Sequence, residues 1–287
     1  LSDEGPVKSV IRILISASLV FTLSGFVLFD KMFAPKSDLW PFWNIVDTQN
    51  LTAIDHVDWA VFLGRYLSMS SDGIAMLSYG KVSGEDHRKL LGYVNRLAGL
   101  KIRSYRKPEQ LAYWINLYNA RTALLILDNY PVESITDIKL SGGFFTSGPW
   151  SEKIMLIEGQ AVSLNDIEHR ILRPIWQDPR VHYALNCASR GCPNLPEVPF
   201  TSGNASQLLD KGASDFVNHP RGVRQYNDGL VLSKIYAWFE DDFGGDNLAL
   251  FAHLSRYADD DLQTILKTKP AVSKYEYDWR LNDAIRR

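Results

Sequence analysis

DPRVHYALNCASRGCPNLP, running from Asp178 to Pro196, holds both cysteines of the chain and most of its chemically able side chains. Val181, Tyr183 and Leu185 alternate with His182, Ala184 and Asn186, the period of a strand with two unlike faces. The alternation then stops. Cys187 to Gly191 is small and polar, and Pro193 and Pro196 lie just beyond it, so the strand is expected to deliver Cys187 into a loop at its end. Loops held by rigid elements are where reactive groups are commonly displayed.

Upstream, Pro108 opens the strongest helical stretch, EQLAYWINLYNARTALLILDNY, whose apolar positions nearly encircle it. It is expected to be a buried central helix. Asn116 and Asn119 lie on one face of it and need partners, either neighbouring backbone or a bound molecule. Val57 to Ser68 has helical spacing up to the breaker Ser70 to Gly73, and Ser83 with Asp86 starts a helix that Gly99 ends. Two later stretches share a plan of strand, Gly turn, strand and capping Ser. The first, Lys153 to Ser163, leads into LNDIEHRILR, which Pro174 is expected to close. The second, Gly222 to Ser233, leads into KIYAWFEDDFG. With the Val181 strand these hairpins predict a mainly antiparallel sheet packed with helices, an α+β domain. A last helix is expected over Ala249 to Leu266, and an extended tail from Lys274.

With 287 residues, 46% of them hydrophobic, the chain can bury a full core, and its net charge of -2 gives no electrostatic reason to expect nucleic acid. Val10 to Phe29 reads VIRILISASLVFTLSGFVLF behind Lys8 and Arg12, the pattern of a signal sequence or an uncleaved anchor. This divides the chain into a transmembrane or signal segment over 1–36, a linker over 37–56 and an α+β domain over 57–287 with its core in 57–245. The expected partner of the first segment is the inner, cytoplasmic membrane, with the domain on its periplasmic or extracellular side. Trp40 and Trp43 suit either an interfacial belt or a segment docked on the domain.

Glu168, His169 and Arg173 share one predicted helix, and a His and Arg pair beside a carboxylate fits acid/base work, anion binding or a buried ion-pair network. Cys187 has three readings. It can be a nucleophile served by His169 or His182, one half of a disulfide with Cys192, or a zinc ligand, for which the histidine pair lacks helical spacing. No P-loop or GxGxxG is present, and no cofactor is expected.

AYWINLYNA from Ala112, SLNDIEHRILR from Ser163, DPRVHYALNCASRGCPNL from Asp178 and LSKIYAWFEDDFG from Leu232 together resemble, in order and content, the DUF547 family, over about Val57 to Gly245. The resemblance implies bacterial members that are usually exported, without an established activity, and shared positions at Asn116, Asn119, Glu168, His169, Arg173, Arg180, His182, Asn186, Cys187, Ser189, Cys192 and Pro193. Papain-like and transglutaminase-like folds also combine a helix with Cys and His motifs. They place the Cys at the start of the central helix, however, where this chain carries Asn116 and Asn119. Two functional readings remain open. One is a cysteine-dependent hydrolase or acyltransferase with Cys187, His169, His182 and Glu168 in catalysis and Asn116, Asn119, Arg173, Asn186, Ser189 and Arg190 binding a small-molecule or peptide substrate. The other is a non-catalytic binding or scaffold domain with a Cys187 to Cys192 disulfide.

The charge placement around Val10 to Phe29 predicts that protease added to intact spheroplasts digests the domain. Protection until lysis would refute the outward orientation.

Overall fold

The computed structural model describes residues 36–140 and 148–284. The segment Val10 to Phe29 lies outside them, and no helix among the described residues is long and apolar enough to cross a membrane.

The architecture is α+β. Helix α1 (Val57–Tyr66) leads into a small hairpin, β1 (Leu67–Met69) and β2 (Ala75–Leu77), whose turn is the Ser70 to Gly73 breaker. Helix α2 (Gly84–Ala98) starts where Ser83 accepts a hydrogen bond from the Asp86 amide, and Gly99 ends it. The central helix α3 (Lys107–Asn129) has Pro108 in its first turn and buries sixteen of its 23 residues, so it forms the axis of the main core. Next come the hairpin β3 (Met155–Ile157) and β4 (Gln160–Val162), a π-helix (Asp166–Leu172) and α4 (Arg173–Trp176). A second core gathers around α5 (Ala205–Val217), the strands β5 (Val223–Tyr226), β6 (Gly229–Ser233) and β7 (Ala271–Glu276), and helices α6 (Lys234–Trp238), α7 (Asn247–Ser255) and α8 (Asp260–Lys267).

Four expectations are corrected. The predicted strand at Val181 is a 3-10 helix over Pro179–Tyr183. Pro179 fixes φ for a first helical turn and the Asp178 side chain accepts from the Arg180 amide at 2.9 Å, so local capping overrides the alternating pattern. That pattern carried no two-faced information, because Val181 through Asn186 are all buried. Secondly, the hairpins do not share one sheet. There are three small sheets among the described residues, and β7 joins β6 in parallel. Thirdly, the expected last helix breaks into α7 and α8, because Asp259 caps a new start by accepting from the Leu262 amide.

Pro174 supplies the fourth correction, for it does not close its helix, which runs on to Trp176 and ends at Gln177 with φ 50°. A proline removes one amide donor and so leaves the carbonyl a turn earlier without a partner. Here the chain before α1 replaces it: the Trp40 amide donates to the Arg170 carbonyl at 3.0 Å and the Asp38 amide to the His169 carbonyl at 3.0 Å. Trp43 is buried edge-on to Trp114, with centroids 5.1 Å apart. The Trp and Pro segment is therefore docked on the domain.

Asn116 and Asn119 act as a pair of clamps on the segment 184–200. Asn119 Nδ2 donates to the Ala184 carbonyl at 2.8 Å while its Oδ1 accepts from the Asn186 amide at 2.9 Å. One turn away, Asn116 Nδ2 donates to the Phe200 carbonyl at 2.7 Å and Oδ1 accepts from its amide at 3.0 Å. Both asparagines are almost wholly buried, so each serves two backbone groups that no water reaches. Replacing either by Leu leaves two buried groups unpaired, at ~1–3 kcal/mol each, and denaturant titration should show a loss of roughly 2–5 kcal/mol. An unchanged midpoint would refute the clamp.

Candidate functional site

Between the two clamps, the chain from Asn186 to Pro193 closes a tight loop. Asn186 Nδ2 donates to the Pro193 carbonyl at 2.7 Å and its Oδ1 accepts from the Ala188 amide at 2.9 Å, so one side chain spans the loop base. Ala188 takes φ 60°, a left-handed conformation that its neighbours hold in place. Cys187 and Cys192 are joined by a disulfide. The Tyr277 hydroxyl lies 3.0 Å from the Cys187 sulfur and 3.1 Å from that of Cys192, and it accepts from Ser189 Oγ at 2.9 Å.

Tyr277 comes from the tail, which is stitched to this loop. The Arg190 amide donates to the Arg280 carbonyl at 2.8 Å, the Gly191 amide to the Asp278 carbonyl at 2.9 Å, and the Asn282 amide to the Ala188 carbonyl at 3.0 Å. At Gly191 an added Cβ would stand 2.8 Å from the Asp278 nitrogen, so the close approach of the two backbones requires glycine.

The histidines belong to a separate polar network. His182 Nε2 lies 2.7 Å from Asp242 Oδ2, and its Nδ1 is 3.7 Å from Glu168 Oε1. Arg173 donates to Asp242 through Nε at 2.5 Å and Nη2 at 3.1 Å, while its Nη1 is 3.1 Å from His169 Nδ1. Tyr118 donates to Glu168 Oε2 at 3.1 Å. Phe239 stacks on the His182 ring with centroids 4.1 Å apart, and the Arg173 guanidinium lies 4.7 Å from the same phenyl ring.

Burial pushes the Glu168 carboxyl up, but the charges of His169, His182 and Arg173 outweigh it and hold the group at about 2. For Asp242 too, burial pushes upward and is outweighed, here by hydrogen bonds from His182 and Arg173 that keep the carboxyl well below the usual range. Burial, reinforced by Arg173, depresses His169 to about 4. A general acid or base works best with a pKa near the operating pH, and Glu168 and His169 are both tuned away from neutrality.

Of the residues singled out in the sequence, the structure joins Glu168, His169, Arg173 and His182 in this network, and Asn186, Cys187 and Ser189 in the disulfide loop. No hydrogen bond joins either histidine to either sulfur among the described residues. Arg190 faces Asp72, at 3.6 Å, and Asn116 and Asn119 are committed to backbone. Arg180 pairs with Asp178 and Asp210. Among the described residues no group of three or more His, Cys, Asp or Glu is placed to hold a metal ion.

Sequence reasoning missed Asp242, Tyr277 and Tyr118. Asp242 lies within the FEDDFG run and Tyr277 within the extended tail, and neither carries a local signal of the partner it meets. Residues 102–217 match the family model described as "Protein of unknown function, DUF547". No similar curated protein and no similar solved structure was found.

The buried imidazoles make stability depend on pH. His56, His169 and His253 are each held near 4 by burial against an unfolded value of 6.5. Unfolding therefore takes up protons below 6.5, so stability is complete above that value and falls as pH drops toward 4. Glu168 acts lower: its contribution is present above its ordinary value of 4.5 and is lost as pH falls toward about 2. Melting temperature is expected to be level above about pH 7 and to decline steadily below it, with a shallower slope in His169→Asn. A melting temperature that holds constant down to the carboxylate range would contradict the buried neutral imidazoles.

Proposed function

We propose that this chain, which carries a DUF547 domain over residues 102–217, is a non-catalytic binding domain whose loop from Asn186 to Pro193 is braced by the Cys187 to Cys192 disulfide. The observation that carries the reading is the separation of the two chemistries. The sulfurs are bonded to each other and face Tyr277 and Ser189, while the histidines are engaged with Glu168, Arg173 and Asp242. A thiol hydrolase needs a thiolate with a base in reach. Arg173, the cation of this network, makes a two-point ion pair with Asp242 and has no hydrogen bond to either sulfur among the described residues.

A disulfide suits an oxidising compartment, which accords with the signal or anchor pattern of Val10 to Phe29 and supports placing the domain outside the cytoplasmic membrane. In that setting the bracing is modest, since closing so short a loop contributes roughly 2 kcal/mol. Its main effect is local: it fixes the backbone between Asn186 and Pro193 and with it the surface that the tail presents.

The test is a thiol titration of the purified, unreduced protein, followed by Cys187→Ser and Cys192→Ser. No free thiol is expected, and the two replacements should lower the melting temperature equally. Two free thiols, with Cys187 alkylated much faster than Cys192 and faster in the wild type than in His169→Ala, would overturn the binding reading in favour of cysteine-dependent hydrolysis or acyl transfer.

A further inference from the structure

Beside the disulfide loop, on the face formed by the tail and β6, is a groove of about 600 Å³ lined among others by Gly191, Pro220, Arg221, Val231, Leu232 and Tyr277. Its charges are unevenly satisfied. Arg224, also in the lining, pairs with Glu276 at 2.6 Å, and Lys274 pairs with the same carboxylate. Asp278 is held by Arg280.

Arg221 differs from all of these. Its guanidinium makes no ion pair with a carboxylate among the described residues. Its partners are neutral oxygens: Nη1 donates to the Arg190 carbonyl at 3.2 Å and Nη2 to Asn194 Oδ1 at 2.6 Å, while the buried Nε has no hydrogen-bond partner. The Phe216 ring lies 5.5 Å from the guanidinium carbon. Burial draws the Arg221 pKa down to about 10, against the opposing charges of Tyr277, Asp72 and Asp215. A cation withdrawn from water without a counter-ion is costly unless an anion is brought to it. Two neutral acceptors fix the plane of the fork, and a fixed guanidinium fork matches a carboxylate bidentately.

We propose that this groove binds a small organic carboxylate, the carboxylate on Arg221 and an apolar body against Pro220 and Val231. The proposal rests on the reading of the chain as a binding domain and names its ligand class. The disulfide loop contributes directly, because Gly191 forms one wall and the tail held by its amide carries Tyr277.

The experiment titrates the full chain with benzoate, with benzamide as its neutral isostere and with inorganic phosphate, following backbone amide NMR shifts and melting temperature. Benzoate should bind saturably in the millimolar range or tighter, shifting the amides of Gly191, Arg221 and Tyr277. Benzamide should bind at least tenfold more weakly, and Arg221→Gln should reduce benzoate affinity at least tenfold. Should Arg221→Gln fail to fold, the shifts mapped on the wild type decide, and shifts confined to other surfaces overturn the proposal. Equal binding of benzoate and benzamide overturns it, as does phosphate binding at least as tightly as benzoate. No benzoate binding in a protein that shows no free thiol would discard the carboxylate site while leaving the binding-domain reading in place.

Discussion

Two side-chain amides inside a buried helix carry the strongest constraint in this fold. Asn116 and Asn119 sit where α3 is apolar on almost every side, and each offers one donor and one acceptor to a backbone that would otherwise be unpaired. A backbone donor and acceptor on one residue, or on two residues two apart, match a primary amide as they would match another strand. The segment from Ala184 to Phe200 is thus hydrogen-bonded at both ends to a helix, without belonging to a sheet. Everything between, including the disulfide and the left-handed Ala188, is a loop hung between two fixed points. Reaching a hydrogen-bonded state there without the asparagines would require water inside a core that excludes it.

The loop is then closed from outside by chain far away in sequence. Leu77 donates to the Asn282 carbonyl and accepts from the Ala284 amide, while Asn282 donates to Ala188, so the tail is bonded on one side to β2 and on the other to the loop. Asn282 and Asp283 are wholly buried and receive hydrogen bonds from Tyr79 and Tyr130. At the opposite end, Asp38 and Trp40 supply the amides that the π-helix and Pro174 leave wanting. The stretch that resembles the family therefore depends on segments beyond both of its edges.

This dependence explains what the sequence disclosed and what it withheld. The helix α3, the Ser83 cap and both hairpins were legible because their causes are local: periodicity, a capping side chain, an Asp-Gly or Glu-Gly turn. Alternation in VHYALN misled, since a segment buried on all sides has no face for alternation to report. Pro174 misled because its usual effect assumes that no outside donor replaces the missing amide. Among candidate site residues, Glu168, His169, Arg173 and His182 were visible as polar groups in apolar company. Their organising partner Asp242 was not, because an aspartate in an acidic run after a short helix looks the same whether it faces water or an arginine.

Charge accounting within the domain divides its cationic groups into two kinds. Arg173 is matched to Asp242 by two hydrogen bonds and stacked on Phe239, and its charge acts on Glu168 and His169 within the same network. The histidines beside it are drawn into the same balance, and the sulfurs, held by Tyr277 and Ser189, lie outside it. Arg221 rests on a carbonyl and an amide oxygen, which orient its fork without neutralising it. The groove that Gly191 and Tyr277 border thus holds a guanidinium that pairs with no carboxylate among the described residues. The walls of that groove follow from the same bonds that hold the loop closed, because Gly191 and Tyr277 are placed there by the tail and by the disulfide loop it covers.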